Sequence, residues 1–288
     1  MIDRDEIDAK CREFGVHTSN LQRDYIFGWL LNEIFQNAYL NSVLILKGGN
    51  AFRKGYFAET RFSSDLDFSS KVEIDQERFI KEINNCCSSI QLQTGISFDT
   101  TRSVLKQDRF ITKDTNIYKA KVYFDDFYGE KSSMVISVRM DITEFDRLYL
   151  PEVTCTLIHP YSDAKDCQAE IKCMALEELL ANKLKCLIQR RHSNDLYDLV
   201  YSSFFDHTLE IDRPKLVGTF LKKTIYDRSP GSAKQVLLGI PVPFFKAAWN
   251  KYIVCPVKSI IEFDTAYETF QNLIIQLFEN TGVELTPA

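Results

Sequence analysis

The sequence lacks the cysteine and histidine patterns of zinc-binding or disulfide-rich proteins. Its eight cysteines are scattered through 288 residues and no two form a Cys-x-x-Cys pair. The four histidines are dispersed, and none stands at a zinc-binding spacing from a cysteine. Cys86 and Cys87 are neighbours in a helix-like stretch, which is poor geometry for a structural disulfide. We therefore predict core-filling thiols in a reducing compartment.

Long apolar segments and basic segments are also missing. No run of eighteen apolar residues occurs, and the N-terminus is charged without an apolar signal region, so we expect a cytoplasmic protein. The net charge is −5 and neither half of the chain has a basic excess. A basic surface for a nucleic acid would therefore have to be assembled by folding.

The hydrophobic periodicity changes along the chain and predicts an α+β fold. Residues 21–40 have the spacing of a long helix, residues 96–145 are rich in strand patterns, and helical patterns dominate after residue 160. We predict a mixed sheet with flanking helices, followed by a mostly helical C-terminal half, with domains at residues 1–160 and 161–288. Whether an edge strand near Cys155 or Lys172 also belongs to the sheet stays open.

A buried-strand pattern that runs into two glycines is the first feature that points to chemistry. Residues 43–46 are apolar and lead to Gly48 and Gly49, which let a backbone approach phosphate oxygens without an intervening Cβ. Asp65 and Asp67 follow in a β-prone segment, and alternate residues of a strand share a face. Two neighbouring carboxylates repel each other unless a hard cation such as Mg²⁺ binds them. The combination predicts nucleotidyl transfer, although each motif alone is also typical of a simple turn or an exposed strand.

Asp141 is a candidate third carboxylate. It follows an apolar strand pattern, Val138-Arg139-Met140. If this strand lies beside the Asp65 strand, Asp141 completes a cluster with Asp65 and Asp67. The alternative is an acid at a strand end that is exposed to water.

Lys183 lies within or beside an apolar helical stripe formed by leucines of residues 176–187. Its amine either reaches solvent along its stem or points into a cleft, where it would counter phosphate charge during transfer. The next helix carries Asp195 in its first turn, where an acid also complements the helix dipole. Asp198 lies one turn further on, and Arg190 ends the Lys183 helix, where cations are favoured or could bind phosphate.

These segments resemble the abortive-infection nucleotidyltransferase toxins of the AbiEii/AbiGii group, which belong to the DNA polymerase β-type nucleotidyltransferase superfamily. The early motif consists of residues 47–52, Lys-Gly-Gly-Asn-Ala-Phe, and residues 61–68, Arg-Phe-Ser-Ser-Asp-Leu-Asp-Phe. The later motif, Glu-x-x-x-Ala-x-Lys-Leu-x-Cys-Leu-x-x-Arg followed by Asn-Asp-Leu-Tyr-Asp-Leu, spans residues 177–190 and 194–199. Asn50 and Asn194 depart from the family, which usually has Ser or Thr and often Arg there.

The resemblance implies a nucleotidyltransferase-type sheet in residues 1–160 and a helical domain that contributes Lys183 and Asp198 to the active-site cleft. It implies a toxin of a phage-defence toxin–antitoxin system that transfers a nucleoside monophosphate from an NTP to an acceptor, expected to be the 3′ end of tRNA or another RNA. The expected partners are the NTP, the RNA and a cognate antitoxin protein, without a membrane. The expected catalytic residues are Asp65, Asp67, Lys183 and Asp198; the metal ligands for Mg²⁺ or Mn²⁺ are Asp65, Asp67 and Asp141; and the nucleotide-binding residues are Lys47, Gly48, Gly49, Asn50, Arg61, Ser64, Arg190 and Asp195.

Two alternatives to RNA modification stay open. The acceptor could be a protein hydroxyl. The chain could also be a catalytically inactive nucleotide-binding module that sequesters a partner, although such a module would be free to lose Asp67 or Lys183, and this sequence keeps both.

Overall fold

The computed structural model describes residues 2–112, 115–126 and 135–279, with the backbone alone for residues 109–112 and 115. The chain forms two compact units. The first contains Met1–Leu148 and Glu152–Met174, and the second contains Tyr149–Pro151 and Ala175–Ala288. The predicted α+β class is confirmed.

The first unit is built on a mixed sheet. In the described part of the chain the sheet has seven strands in the spatial order β3-β4-β5-β2-β1-β7-β6. The strands are β1 Ile45–Lys47, β2 Leu66–Ser69, β3 Val104–Thr112, β4 Thr115–Asp125, β5 Val135–Thr143, β6 Val153–Thr156 and β7 Glu170–Cys173. β2 runs parallel to β5 and antiparallel to β1, while β1 runs parallel to β7.

Helices pack on the sheet of the first unit and enclose its core. They are α1 Arg4–Phe14, α2 Thr18–Gln36, α3 Ala38–Val43, α4 Gly48–Ala51 and α5 Gln76–Thr94, and a π-helical turn at Phe52–Tyr56 extends α4. α2 packs against β5, β7 and α5. The side chains of β5 alternate: Ile136, Val138, Met140 and Ile142 are buried, whereas Arg139 is exposed and Asp141 is partly exposed. One face of the sheet therefore forms the core, and the other face presents polar side chains.

The boundary between the units lies after Met174 and not at residue 160. β6 and β7 pair as an antiparallel hairpin, and β7 joins β1 through the parallel pair Leu46↔Cys173. Ile171 and Cys173 are fully buried, because they extend the core of the sheet. Residues 161–174 thus belong to the first unit.

The second unit is helical. Its helices are α6 Leu176–Gln189, α7 Ser193–Val200, α8 Arg213–Lys222, α9 Pro230–Leu238, α10 Val242–Tyr252 and α11 Phe263–Glu279, with a π-helical turn at Tyr201–Phe205. α6 contacts α7, α8 and α9, and α7 contacts α10 and α11. Among the described residues, no helix combines the length and apolarity needed to cross a membrane.

Candidate active site

Strand pairing brings Lys47, Asp67 and Asp141 into one row across the polar face of the sheet. Lys47 lies opposite Asp67 in the β1–β2 pair, and Asp67 lies opposite Asp141 in the β2–β5 pair. Directly opposed residues project from the same face of a sheet. The predicted neighbourhood of Asp141 and the Asp-x-Asp strand is therefore present in the fold.

The two glycines bring the loop after β1 against this row. Gly48 has a φ angle of +68°, and a Cβ placed there would lie 2.0 Å from Asp67 Oδ2. A Cβ on Gly49 would lie 2.7 Å from Ser63 Oγ and 3.0 Å from Arg61 Nη2. Residues with side chains cannot replace either glycine without displacing these groups. The loop, one carboxylate and one guanidinium thus meet at a single place.

Asn50 connects the glycine loop to the first carboxylate segment. It is completely buried, and its Nδ2 donates a hydrogen bond to the carbonyl oxygen of Asp65 at 2.6 Å. The predicted contact of Asn50 with a phosphate stays a prediction, since here the amide group positions Asp65. Ser64 is exposed, whereas its neighbour Ser63 lies against Gly49 and donates to Asp65 Oδ1 at 3.4 Å.

Lys47 is held by groups that the sequence did not identify. Its Nζ donates to Asp146 Oδ2 at 2.7 Å and to Thr143 Oγ1 at 2.9 Å. Ser69 Oγ also donates to Asp146 Oδ2, at 2.5 Å. Asp146 therefore orients Lys47 beside the carboxylate row. Thr143 could have been identified from the sequence, because it lies two residues after Asp141 and therefore shares a strand face with it.

The carboxylates influence one another. Burial, and next the negative charge of Asp65, raise the pKa of Asp141, while Lys119 and Arg139 act in the opposite direction. A second negative charge near a carboxylate disfavours its ionised form. Asp65 and Asp141 thus lie within electrostatic range, as a shared cation site requires.

The donor set fits a divalent cation of the magnesium type. Asp65, Asp67 and Asp141 are all partly exposed, so their oxygens are accessible. No group of three or more His, Cys, Asp or Glu side chains in the described ranges is arranged to hold a metal ion. Mg²⁺ is usually bound through one or two carboxylates, with substrate phosphates and water as its other ligands. Two carboxylates beside the glycine loop match that requirement.

In the second unit, Lys183 is buried within an ion-pair network. Its side chain is 7% exposed, and its Nζ lies 2.7 Å from Asp198 Oδ2 and 3.0 Å from Asp195 Oδ1. Arg190 approaches both oxygens of Asp195, with Nε and Nη2 each at 2.8 Å. The alternative of a solvated Lys183 is excluded by this burial. The network joins α6 to the first two turns of α7.

Asp195 remains ionised in this network. Burial by itself would raise the pKa of Asp195, but the charges of Lys183 and Arg190 and their hydrogen bonds outweigh it and lower the value to about 2. Both carboxylate oxygens are already occupied by protein cations. The predicted roles of Asp195 and Arg190 in nucleotide binding, and those of Lys183 and Asp198 in catalysis, stay predictions.

Comparisons with known proteins identify a family and a similar fold. The family described as nucleotidyl transferase AbiEii toxin, type IV toxin–antitoxin system, matches residues 29–266. No curated protein matches the sequence. Among solved structures, the nucleotidyltransferase toxin MenT4 from Mycobacterium tuberculosis is similar with a TM-score of 0.59 and 16% identity, over 99% of this chain and 92% of that chain.

The similarity to MenT4 confirms the predicted nucleotidyltransferase-type fold. The range matched by the family includes both the Gly48–Asp67 segment and the later Lys183–Asp198 segment, so both motifs of the predicted resemblance lie inside it. The chain belongs to the AbiEii family, the nucleotidyl transferase toxins of type IV toxin–antitoxin systems.

Proposed function

We propose that this toxin transfers a nucleoside monophosphate from an NTP to the 3′ end of an RNA, tRNA being the first candidate, and acts in phage defence. The row of Lys47, Asp67 and Asp141 beside the glycine loop is the observation that carries the proposal. In it the glycine loop lies next to paired carboxylates. Nucleotidyl transfer requires both features, since the triphosphate must be bound and its charge balanced.

Asp65 and Asp67 would hold Mg²⁺ or Mn²⁺, with substrate phosphates and water as the other ligands, while the predicted role of Asp141 as a further ligand stays a prediction. When bound, such an ion neutralises phosphate charge and favours the ionised form of an attacking hydroxyl. Burial first, and the negative charge of Asp65 next, raise the pKa of Asp141, and a bound cation would favour the ionised form of both carboxylates. Asn50 fixes the Asp65 backbone, so the first carboxylate is positioned before a substrate arrives.

The protein's own cations contribute to binding of the triphosphate. Arg61 lies against Gly49, where its guanidinium can face an oxyanion on the loop. Lys47 is oriented by Asp146 next to Asp67. In the second unit, we assign Lys183 to the phosphates and Asp198 to the orientation of Lys183, because Asp198 Oδ2 lies 2.7 Å from Nζ. That assignment follows the family's later motif.

Incorporation of labelled nucleotide tests the function. The purified protein is incubated with Mg²⁺, total cellular RNA and each of the four α-labelled NTPs, and labelled RNA is separated from labelled protein. We expect label in RNA with the wild type and with Asp5→Asn, an exposed acid on α1. Asp67→Asn should lower incorporation about a hundredfold or more, the scale of removing one preorganised electrostatic group.

Other outcomes would identify the alternatives. Label in protein without label in RNA would replace the RNA acceptor by a protein hydroxyl. Binding of NTP without any transfer would favour the sequestering module. Equal incorporation by wild type and Asp67→Asn would place the reaction outside the carboxylate row.

A further inference from the structure

The polar face of the sheet carries like-charged pairs beyond the carboxylates. Lys121 on β4 lies directly opposite Arg139 on β5, and Lys106 on β3 lies directly opposite Lys119 on β4. All four side chains are exposed. Directly opposed like charges destabilise a sheet. Their presence in a chain with a net charge of −5 points to an anion that this face binds.

Arg23 on α2 lies within electrostatic range of Arg139. Its Nε is buried and has no hydrogen-bond partner. Burial, and next the positive charge of Arg139, lower the pKa of Arg23, while Asp65 acts more weakly in the opposite direction. Within the described residues, Arg23, Lys121 and Arg139 form no ion pair with a protein acid, whereas Lys119 is paired with Asp108. Asp65 acts on Arg23 and Asp141 acts on Arg139, so protein acids balance this positive charge only in part.

We propose that Arg23, Lys121 and Arg139 bind neighbouring backbone phosphates of the acceptor RNA. The proposal rests on the proposed function, since it names the strand that receives the nucleotide. Arginine and lysine are the usual partners of nucleic-acid phosphates, and arginine can bind one phosphate with two hydrogen bonds. Lys106 and Lys119 continue the basic surface onto β3, where the same strand can extend.

The strand order assigns this site to the acceptor and not to the NTP. The glycine loop follows β1, on one side of the carboxylate strands β2 and β5. Arg139 lies on β5 itself, and Lys121 and Lys106 lie beyond β5, on β4 and β3. Arg139 and Asp141 share a strand and a face, so their Cα atoms are about 7 Å apart. A phosphate at Arg139 would thus leave the 3′ hydroxyl next to it near the carboxylates, with the triphosphate on the opposite side.

The test is the salt dependence of RNA binding in the absence of NTP. The probe is a 12-nucleotide single-stranded RNA with fluorescein at its 5′ end and a free 3′ hydroxyl, and binding is measured by anisotropy between 50 and 300 mM KCl. The variants are Arg139→Gln and Lys121→Gln, singly and together, and Arg23→Gln. Lys81→Gln on the exposed surface of α5 removes one charge elsewhere in the same unit.

Each lost phosphate contact should reduce the slope of log K against log salt by about 0.7, and the double variant by about 1.4. The control should keep the wild-type slope. The affinity for Mg²⁺–ATP, measured by calorimetry, should be the same in the wild type and in all five variants. Slopes equal to the control in the three single variants, or no RNA binding by the wild type, would overturn the proposal.

Loss of Mg²⁺–ATP affinity in the variants would also overturn it, because the cations would then belong to the triphosphate. The outcome is independent of catalysis. RNA binding with the expected slopes but without nucleotide incorporation would leave the phosphate site standing and refute the proposed function. Nucleotide transfer to RNA with unchanged slopes would support the proposed function and overturn the phosphate site.

Discussion

Substitution of Gly48 by alanine, compared with substitution of Gly95, distinguishes a steric clash in the candidate active site from ordinary backbone strain. Gly48 and Gly95 both have positive φ angles, +68° and +74°. An L-residue in this conformation costs roughly 1–2 kcal/mol, and alanine recovers part of this by restricting the unfolded chain. Both substitutions should therefore share a small loss of stability. They differ in what the new methyl group meets.

The Cβ of Gly95→Ala meets no atom within 4 Å, whereas that of Gly48→Ala would lie 2.0 Å from Asp67 Oδ2, 2.7 Å from its Cγ and 2.8 Å from its Cβ. Rotation of the Asp67 side chain cannot relieve the contact with its Cβ, so the β1–β2 pair must shift. Overpacking of this kind adds about 1–3 kcal/mol. A shift of about 1 Å at a reacting group lowers turnover on the order of a hundredfold.

Urea denaturation and nucleotide incorporation measure the two effects. We expect Gly48→Ala to lose about 1–3 kcal/mol more stability than Gly95→Ala. We also expect it to incorporate nucleotide about a hundred times more slowly under conditions where both proteins are folded. Matching values for the two variants in both assays would refute the close approach of Gly48 to Asp67 as the reason for this glycine.

Further predictions concern the ion pairs, the metal and one thiol. Lys183→Met should lower the free energy of unfolding by about 3–5 kcal/mol, because it leaves buried carboxylates of α7 without their partner. Lys185→Met on the same helix is the control. A loss below about 1 kcal/mol for Lys183→Met in urea unfolding would contradict the network. The pKa of Asp195 is lowered to about 2, so the contribution of its ionised form to folding stability should be fully present above about pH 4 and lost as the pH falls towards 2. Acid titration followed by circular dichroism measures this loss. Asp195→Asn should remove that part of the pH dependence of stability. Binding of NTP should strengthen with Mg²⁺ or Mn²⁺, and Asp67→Ala should abolish this gain in calorimetry; an undiminished gain would place the metal elsewhere. A hydrogen bond from the neighbouring thiol of β7 outweighs burial and lowers the pKa of Cys155 to about 7, so its alkylation by iodoacetamide should rise with a midpoint near pH 7, and a midpoint above 8.5 would argue against that hydrogen bond.

Local patterns were sufficient to predict the glycine loop and the carboxylate strand. The apolar run before Gly48 predicted β1, and alternation predicted that Asp67 would lie on the polar face of β2. The apolar stripe around Lys183 left open whether its amine reached solvent or pointed into a cleft, and the stripe could not identify the partners of that amine. Asp195 and Asp198 reach it because α6 and α7 pack closely.

Long-range pairing explains what the sequence could not predict. The Asp67↔Asp141 register depends on strands distant in the chain, and the spacing within each strand carries no information about it. Asp146 holds Lys47 for the same reason, since the two residues are distant in the chain. The predicted single helix over residues 21–40 is interrupted at Asn37, whose Oδ1 accepts from two backbone N–H groups of α3. Asparagine is a common helix cap, but a buried apolar periodicity masked that signal.

The parallel β2–β5 pair has a consequence for the time at which the carboxylate row forms during synthesis of the chain. β2 is made early, but it lacks its partner until roughly 70 more residues have been translated, which takes about 4–15 seconds at ordinary bacterial rates. Pairing of β1 with β7 waits longer still. Non-local strand pairs also close slowly. A nascent or truncated chain therefore carries the glycine loop and Asp67 without the assembled carboxylate row, and the row forms only after most of the first unit has been made.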